Sequence, residues 1–292
     1  MKNGDVLVLE NVRFHKEEEK NEPNFAAQLA RHGDVYVNDA FGTAHREHAS
    51  TFGAAQCMQG KPRVIGFLIQ KELKFLGEAV TAPKRPFVAI LGGAKVSDKI
   101  EVIENLIGKV DALAIGGAMA YTFLKSRGLP IGRSLVEDDK LEAARKITAH
   151  AHERGVRLAL PVDHVVVEKL EAGAPHETVA VEDAAIGERM GVDIGPKTVA
   201  LFQDLVAGAK TVVWNGPMGV FEMPPFDAGT NALAKAVAAV DGTTIVGGGD
   251  SVSAVSKAGV ADRITHISTG GGASLGFLGG RVLPGVAALA NK

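Results

Sequence analysis

Five short apolar runs, each ending at glycine, constrain the fold of this chain more than any other feature. The runs stop at Gly92, Gly116, Gly216, Gly247 and Gly270, and apolar and polar residues do not alternate within them. Strands without alternation are buried on both faces, which indicates a parallel sheet between layers of helices. Helix-like segments separate the runs, so the sequence predicts an α/β fold with an open, doubly wound parallel sheet.

The five glycines also predict where a ligand binds. In a doubly wound sheet the carboxyl ends of the strands lie along one edge, and ligands occupy the crevice there. Tight turns between strands and helices would account for about two or three of the glycines. Glycine at all five ends favours a groove in which the backbone approaches an extended, phosphate-bearing ligand closely.

The segment Phe87–Ile100, FVAILGGAKVSDKI, is central to this prediction. We expect a buried strand, a glycine turn and the first turn of a helix that Ser97 and Asp98 begin. Lys95 and Lys99 would then share one side of the helix at i, i+4. Cations are unfavourable at a helix N-terminus, so the two lysines are either solvated surface residues or one wall of an anion site.

Asp250 follows three glycines and precedes a predicted helix. It either caps that helix or holds magnesium against phosphate oxygens. The sequence contains no Walker A loop, GxGxxG fingerprint, GxSxG elbow or His/Cys metal cluster. The polar residues expected in the groove are Lys95, Lys99, Asn215, Glu222 and Asp250.

Composition narrows the partners and the compartment. Net charge is −2 with both signs interspersed, so we expect neither a nucleic acid nor a membrane as partner. The longest apolar stretch, Ala112–Leu124, is too short to span a bilayer. Cys57 is the single cysteine, expected to be a small buried hydrophobe in a reducing compartment. Charges interrupt the apolar stretch at the N-terminus, which argues against a signal peptide and for a cytoplasmic protein.

The N-terminal quarter has weaker signals. We expect short strands at Asp5–Leu9 and Val35–Val37, a loop over 38–50 and an extended piece at 63–67. Apolar spacing predicts a helix over 68–79, with Leu68, Leu73, Phe75 and Leu76 on its buried side.

The chain resembles the phosphoglycerate kinase family nearly continuously from Gly4 to Leu289, and six segments in the family's order are similar to its signature segments. They are LENVRFHKEEEKN, VYVNDAFGTAHREHAS, FVAILGGAKVSDKI, VWNGPMGVFE, VGGGDS and HISTGGGAS. The resemblance implies two Rossmann-like domains joined by a hinge helix. The implied parts are an incomplete N-terminal, phosphoglycerate-binding domain at 1–66, the hinge at 67–79, a nucleotide-binding domain at 80–278, and a tail at 279–292 that returns to the N-terminal domain.

The function implied by the resemblance is reversible phosphoryl transfer between ATP and 3-phosphoglycerate, giving ADP and 1,3-bisphosphoglycerate, in glycolysis and gluconeogenesis. The nucleotide would bind with Mg2+, and the protein would be a monomer. The acceptor is a carboxylate with a pKa of about 4, so it is already ionised and needs no general base. Catalysis would then consist of positioning and of neutralising the charge on the transferred group.

The resemblance also implies roles for individual residues. Lys95 and Lys99 would serve the transferring phosphate, Lys99 would also contact the nucleotide, and Asp250 would serve the metal. The remaining implied nucleotide contacts are Asn215, Gly248, Gly249 and Ser251 at the phosphates, Glu222 at the ribose, and Ala118, Gly191 and Val192 at the adenine. Arg13, Arg46 and His45 would form the substrate patch, with Arg46 also catalytic. Glu72 and His266 would form an interdomain pair associated with closure.

Departures from the family pattern leave alternatives open. The family's opening segment, with most of its substrate-binding basic residues, is not found before the first matching segment. The apolar runs VLVL, VYV and RVIGF are therefore expected to lack neighbours and to leave sheet edges or apolar surface open. Gly276 and Gly279 stand where the family more often has acidic residues. The alternatives are a protein that binds MgATP or MgADP without catalysis and, on the fold alone, an NAD-dependent oxidoreductase.

Overall fold

The computed structural model describes residues 2–290, which form two compact units. One unit consists of the chain up to Glu72 together with the segment that begins at Arg281, and the other is Leu73–Gly280. The division falls inside the predicted hinge helix rather than at either of its ends. The expected four-part boundaries stay a prediction.

Within the described residues, the strands are short and most are apolar. They are β1 Tyr36–Asn38, β2 Arg63–Ile65, β3 Phe87–Leu91, β4 Ala112–Ile115, β5 Arg157–Ala159, β6 Asp163–Val167, β7 His176–Ala180, β8 Met190–Ile194, β9 Thr211–Asn215, β10 Thr243–Gly247 and β11 His266–Ile267.

The α-helices of the same residues alternate with these strands over much of the chain. They are α1 Lys16–Glu19, α2 Pro23–Ala30, α3 Ala54–Cys57, α4 Phe67–Thr81, α5 Ile100–Ile107, α6 Ala120–Ser126, α7 Leu141–Glu153, α8 Pro196–Ala207, α9 Ala228–Ala238, α10 Gly249–Lys257, α11 Gly272–Leu278 and α12 Pro284–Ala287.

The larger unit is built on a six-stranded, all-parallel sheet with the order β11-β10-β9-β3-β4-β5. Within this sheet the chain enters at β3 and continues outward through β4 to β5. It then returns to β9, on the other side of β3, and continues outward through β10 to β11. This confirms the predicted doubly wound α/β fold, whose ligand crevice lies where the strand order reverses. Here that point is between β3 and β9.

Complete burial explains why these strands show no alternation. Every residue of β3, β4 and β9 is buried, and Trp214 on β9 and Phe202 on α8 have no exposed surface. Helices pack on both faces, as a parallel sheet requires. The rigid frame thus formed holds the five glycine-ended strands side by side.

A second sheet in this unit was not predicted. It is antiparallel, with β6 between β7 and β8, and a register shift interrupts the β6–β8 pairing at Val165/Val166. Neither outer strand of this sheet, β7 or β8, was predicted from the sequence. One residue of β7, Val179, is buried, so the segment HETVA carries little apolar signal.

The smaller unit has a two-stranded parallel sheet of β1 and β2. The predicted strand Asp5–Leu9 is wrong: these residues form no strand, and Val6 and Val8 are 89% and 87% exposed. Apolar residues alone do not make a strand, because the backbone also needs a partner for its hydrogen bonds. The expected open apolar surface is observed, since Val37 and Phe67 are also exposed.

Three smaller expectations met different outcomes. The helix predicted over 68–79 is present as α4. Its buried positions include Ile69 and Leu76, whereas Leu68 is partly exposed, so Leu68 was assigned to the wrong side. Cys57 is exposed at the end of α3 rather than buried.

The C-terminal segment belongs to the smaller unit through specific hydrogen bonds. The buried Asn38 on β1 donates from Nδ2 to the carbonyl oxygen of Gly285 at 2.9 Å. Arg63 on β2 donates to the carbonyl oxygen of Ala288 at 2.8 Å. Strands near the start of the chain are therefore held by residues close to its end.

Candidate functional site

A cavity of about 260 Å3 opens at the carboxyl edge of the parallel sheet. Its walls come from the segments after β3, β4 and β9, from β8, and from the start of α10. Five of the predicted nucleotide-site residues line it: Ala118, Gly191, Val192, Glu222 and Asp250. Residues far apart in the sequence are thus brought to one place by the strand order.

The glycines after β3, β4 and β9 allow three loops to pack backbone against backbone. A Cβ atom at Gly92 would overlap the carbonyl oxygen of Pro217, and one at Gly216 would overlap Gly92 itself. Gly93 N–H donates to the carbonyl oxygen of Pro217 at 2.9 Å. Glycine is therefore required here by loop packing at the crevice, whereas at Gly249 an added Cβ would meet nothing within 4 Å.

The sequence predicted that Lys95 and Lys99 share one side of a helix, and this prediction is wrong. Helix α5 begins at Ile100, with Lys99 as its N-cap residue, and Lys95 to Lys99 form a turn before it. Ser97 lies two residues before the N-cap and does not begin the helix; its N–H and Oγ instead donate to Glu137 at 3.0 and 2.6 Å. The turn, rather than a helical face, therefore sets the direction of both lysines.

Glu137 holds this turn in place. Partial burial raises the pKa of the Glu137 carboxyl, but the hydrogen bonds from the Ser97 side chain and from the backbone of Ser97 and Val96 outweigh burial and lower it. The carboxylate is thus ionised near neutral pH and accepts from both donors of Ser97. No local sequence pattern indicates this contact, which spans 40 residues.

The two lysines differ in their surroundings. Lys95 is exposed, whereas Lys99 is partly buried, and a Cβ atom at Gly93 would lie 3.8 Å from Lys99 Nζ. Burial lowers the pKa of Lys99, and the carboxylates of Asp98 and Asp250 oppose that shift. A partly desolvated ammonium next to a glycine loop attracts anions more strongly than a solvated one.

Asp250 is not the cap of α10. Gly248 is the N-cap residue, with φ +90°, and no side chain caps the helix. Asp250 follows in the first turn and is exposed, so its carboxylate is available at the cavity wall. The glycines before it let the chain turn sharply from β10 into the helix.

Asn215 and Ser251 connect the ends of β9 and β10. Asn215 is buried and donates from Nδ2 to the carbonyl oxygen of Gly247 at 2.9 Å. Ser251 has no exposed surface, and its Oγ accepts from the N–H of Gly216 at 2.6 Å. Both predicted phosphate-site residues therefore also hold the loops that surround the cavity.

Sequence reasoning missed three polar residues that line the cavity: Tyr121, His164 and Asp193. The carboxylate of Asp193 accepts from Gly229 N–H at 2.7 Å and from Ile194 N–H at 2.9 Å. Burial nevertheless raises its pKa to about 7. For two of them the available signal was a polar side chain inside an otherwise apolar strand, His164 in DHVVV and Asp193 in MGVDI.

In the smaller unit, the predicted substrate residues lie on two segments. Arg46 Nε donates to His45 Nε2 at 3.3 Å, and Arg281 is close enough to act electrostatically on the same histidine. Burial lowers the pKa of His45, and both arginines lower it further. Arg13 lies in a short 3-10 helix and forms an exposed ion pair with Glu19 at 3.8 Å.

A buried carboxylate shapes the loop that carries His45 and Arg46. Glu18 is 2% exposed, and it accepts from Ser50 N–H at 2.9 Å and from Ser50 Oγ at 2.6 Å. The segment LENVRFHKEEEKN therefore supplies a structural anchor in addition to Arg13.

The two residues predicted to form an interdomain pair are both buried. Glu72 lies on α4, and His266 on β11 stacks on Phe75, with ring centroids 4.7 Å apart. Their pairing stays a prediction.

Two features are absent from the part of the chain that the structure describes. Residues 2–290 contain no group of three or more His, Cys, Asp or Glu side chains arranged to hold a metal ion. None of the helices in the same part of the chain combines the length and apolar character that crossing a membrane requires.

Comparison with known proteins identifies the family. The family model described as phosphoglycerate kinase matches residues 1–281. The chain is 64% identical to phosphoglycerate kinase of Solibacter usitatus, over 98% of this chain and 71% of that one. It is 61% identical to the enzyme of Clostridium novyi, over 100% and 73% of the two chains.

Solved structures agree with the sequence comparison. Phosphoglycerate kinase from Coxiella burnetii matches with a TM-score of 0.89 at 44% identity, over 95% of this chain and 71% of that one. The enzyme from Pyrococcus horikoshii matches with a TM-score of 0.84 at 34% identity, over 99% and 73%. The chain belongs to the phosphoglycerate kinase family.

Proposed function

We propose that this chain is a phosphotransferase that moves a phosphoryl group reversibly between ATP and 3-phosphoglycerate, giving ADP and 1,3-bisphosphoglycerate. The observation that carries the proposal is the family match over residues 1–281. The site geometry supports it, because a glycine-walled cavity, a helix N-terminus and a partly buried lysine meet at one sheet edge.

The nucleotide would occupy the cavity of the larger unit. Ala118, Gly191 and Val192 provide an apolar wall for the adenine, and Glu222 would accept from a ribose hydroxyl. The phosphates would lie at the start of α10, beside Asn215 and near Gly248, Gly249 and Ser251. Unpaired N–H groups in the first turn of a helix bind anions, and the macrodipole favours negative charge there.

Magnesium fits the donor set in one specific way. Asp250 is a single exposed carboxylate at the cavity wall. Mg2+ commonly takes one or two carboxylates and fills its remaining positions with phosphate oxygens and water. Asp250 would therefore hold a magnesium ion that enters with the nucleotide and offsets phosphate charge.

This assignment gives the first prediction, Asp250→Asn. The substitution keeps the shape and removes the charge, so we expect the dissociation constant of ADP to rise about tenfold with Mg2+ present and to change little without it. Equilibrium binding with and without Mg2+ measures both values. An equal change in the two conditions would show that Asp250 does not serve the metal.

The smaller unit would supply the acceptor. Arg13, Arg46 and His45 would bind the phosphate and carboxylate of 3-phosphoglycerate, and Arg46 would also face the transferred group. The ionised carboxylate oxygen attacks the γ-phosphorus, the bond from phosphorus to the ADP oxygen breaks, and no proton is transferred. Lys95, Lys99 and Arg46 would stabilise the charge on the group in transit.

We also propose the organisation that such a reaction needs. The chain would be organised as a substrate part at 1–66, a hinge at 67–79, a nucleotide part at 80–278 and a tail at 279–292. Closure, assisted by Glu72 and His266, would exclude water that otherwise hydrolyses the acyl phosphate. The protein would act as a monomer in the cytoplasm.

The deciding experiment is an assay of this polypeptide with ATP, Mg2+ and 3-phosphoglycerate, with 1,3-bisphosphoglycerate consumed by a coupling enzyme. We expect turnover that depends on all three components. Binding of MgADP without any turnover would overturn the proposal. The comparisons give no support to that non-catalytic alternative.

A further inference from the structure

Helix α10 carries a second charged residue on the same face as Asp250, and the proposed function gives this residue no role. Lys257 follows Asp250 by seven residues, or two helical turns, so both lie on one face of the helix, about 10 Å apart along its axis. The Lys257 side chain is 46% exposed and does not line the cavity. Its contacts are instead with the segment that carries Glu222.

The Lys257 ammonium bridges two points of the segment between β9 and α9. Its Nζ donates to the carbonyl oxygen of Phe221 at 3.2 Å and lies 3.6 Å from Asp227 Oδ2. Asp227 is held in turn, because the same oxygen accepts from Asn231 Nδ2 at 2.9 Å. The Phe221 carbonyl belongs to the peptide that joins Phe221 to Glu222. Lys257 therefore fixes the backbone directly before the residue proposed for the ribose.

Polar contacts do not restrain the Glu222 side chain itself. It is exposed at the cavity wall, and within residues 2–290 its carboxylate makes no hydrogen bond or ion pair. The backbone around it forms a turn in which Met223 N–H donates to the carbonyl oxygen of Val220 at 3.0 Å. The Phe221 ring is anchored in the core. The direction of the carboxylate therefore follows from this backbone, one carbonyl of which Lys257 holds.

The same helix is tied to this segment at its other end. Ser251, in the first turn of α10, accepts from Gly216 N–H at 2.6 Å, and Lys257, its last residue, donates to Phe221. The first turn is the part of α10 proposed to meet the phosphates and magnesium. Two contacts at opposite ends of one rigid helix therefore hold the phosphate end and the ribose end of the proposed site in a fixed relation.

We propose that Lys257 is a positioning residue, which directs Glu222 towards the ribose by holding the Phe221 carbonyl and does not itself touch the nucleotide. This inference rests on the proposed function, since it needs a nucleotide in the cavity with its ribose at Glu222. A hydrogen bond from a ribose hydroxyl to a carboxylate is charge-assisted and depends on geometry, so a displaced carboxylate loses most of it. Loss of Lys257 should therefore weaken recognition of the ribose specifically.

The test is equilibrium binding of MgADP and of its 2′-deoxy and 3′-deoxy analogues to the native chain, to Lys257→Met and to Glu222→Ala. We expect the native chain to bind one of the analogues about 5- to 20-fold more weakly than ADP. Glu222→Ala should remove this difference, because the acceptor is absent. Lys257→Met should reduce it to about twofold, by weakening ADP while leaving the sensitive analogue nearly unchanged.

Lys210→Met is a matched control in the same unit. Lys210 is 47% exposed, and it donates to the carbonyl oxygen and to Oδ2 of Asp241 at 3.1 and 2.7 Å. Neither residue lines the cavity. This variant loses the same kinds of contact as Lys257→Met and should keep the native discrimination.

Lys257→Arg retains a long cationic donor and should recover most of the discrimination, which a lost apolar contact would not explain. Both methionine variants change half-exposed side chains, so we expect them to fold with similar stability, checked by urea unfolding. Steady-state kinetics gives an independent measurement. Lys257→Met should raise the KM for the nucleotide more than it lowers kcat, since ribose binding is the same in the ground state and the transition state.

Two results would overturn the inference and leave the proposed function intact. One is native discrimination in Lys257→Met, and the other is an equal loss of affinity for ADP and both analogues, which indicates a general disturbance of the cavity. If the native chain binds no MgADP, or binds ADP and both analogues equally, the proposed nucleotide site or its ribose contact fails first, and the inference falls with it. The native chain alone therefore separates the two kinds of failure.

Discussion

The two units of this protein differ in how their strands are supported. In the larger unit, six parallel strands lie under helices, and the central strands are completely buried. In the smaller unit, two parallel strands carry exposed apolar side chains, among them Val37 and Val64 at 57% and 46%. Apolar strand sequences alone therefore do not determine burial, because burial also needs neighbouring strands and covering helices.

Charged groups follow the same division. In the larger unit, Lys99 lies near the Gly93 loop and Asp193 accepts from two backbone N–H groups, and burial shifts the pKa of both side chains. Arg13 and Arg46 in the smaller unit are exposed. We therefore expect substitutions in the larger unit to change stability and chemistry more than substitutions in the smaller one.

Packing gives the largest expected difference. Phe202→Ala removes a ring with no exposed surface and should lower the free energy of unfolding of the larger unit by about 3–5 kcal/mol. Val8→Ala removes two methyl groups from a side chain that is 87% exposed and should change stability by less than about 0.5 kcal/mol. Urea unfolding followed by tryptophan fluorescence measures the first effect, because Trp214 lies in the same core.

Equal losses of unfolding free energy in Phe202→Ala and Val8→Ala would contradict the difference proposed between the two units. They would mean that Val8 is covered in solution despite its exposure in the structure. A second exposed position, Val64→Ala, serves as a matched control on a strand of the smaller unit.

The next largest difference is expected between two cationic side chains, Lys99 in the larger unit and Arg13 in the smaller one. Lys99→Met should lower kcat about 100- to 1,000-fold with a much smaller loss of nucleotide affinity, because a partly desolvated charge acts most strongly in the transition state. Arg13→Met should mainly raise the KM for 3-phosphoglycerate, since an exposed contact binds ground state and transition state alike. Steady-state kinetics with both substrates separates the two patterns.

Parallel losses in kcat and nucleotide affinity for Lys99→Met would show that this lysine only binds phosphate in the ground state. Lys95→Met gives a comparison on the same turn: Lys95 is exposed, so its charge should contribute less to kcat than that of Lys99.

The sequence predicted the larger sheet better than the details of the site. Five glycine-ended apolar runs were sufficient for the fold class and for the edge at which the cavity lies. The position of Lys99 was not predictable from local propensity, because the turn that carries it is held by a contact between Ser97 and Glu137, 40 residues away. The same holds for His164, whose place in the cavity wall depends on which strands pair with β6.

The prediction of a strand at Asp5–Leu9 was wrong for a related reason. Its apolar composition is typical of a strand, but strand formation depends on a partner that no local pattern encodes. Local sequence was therefore sufficient for the strands of the parallel sheet and insufficient for an apolar segment that has no partner strand.

Asp193 makes the buried charge in the larger unit testable by pH. Its folded-state pKa is raised to about 7 from an ordinary value of 3.8, so the folded state binds the proton more tightly than the unfolded state. Its stabilising contribution is present below about pH 4 and is lost as the pH rises towards 7. Relative to Asp193→Asn, the native chain should lose on the order of 1–3 kcal/mol between pH 5 and 7.5.

Urea unfolding of both proteins across this pH range gives the difference directly. The variant's altered hydrogen bonds shift its stability by the same amount at every pH and do not affect the slope. Parallel pH profiles would show that Asp193 stays ionised throughout, stabilised by the N–H groups of Gly229 and Ile194.

The smallest expected effect concerns the contact that positions Lys99. Glu137→Gln replaces a carboxylate that accepts from both donors of Ser97 by a neutral amide with one acceptor oxygen. We expect kcat to fall about three- to tenfold, because the turn before α5 then samples orientations in which Lys99 points away from the phosphate. Stability should change by less than about 1 kcal/mol, since Ser97 is exposed and water can replace the lost partner.

A positioning role is distinguished from a purely structural one by combining substitutions. Once Lys99→Met has removed the charge, Glu137→Gln should cause no further loss of kcat, because there is no ammonium left to position. Ser97→Ala breaks the same contact from the other side and should give the same interaction with Lys99. Additive losses in the double variants would instead mean that Glu137 stabilises the loop independently of Lys99, and the turn would no longer count as part of the catalytic arrangement.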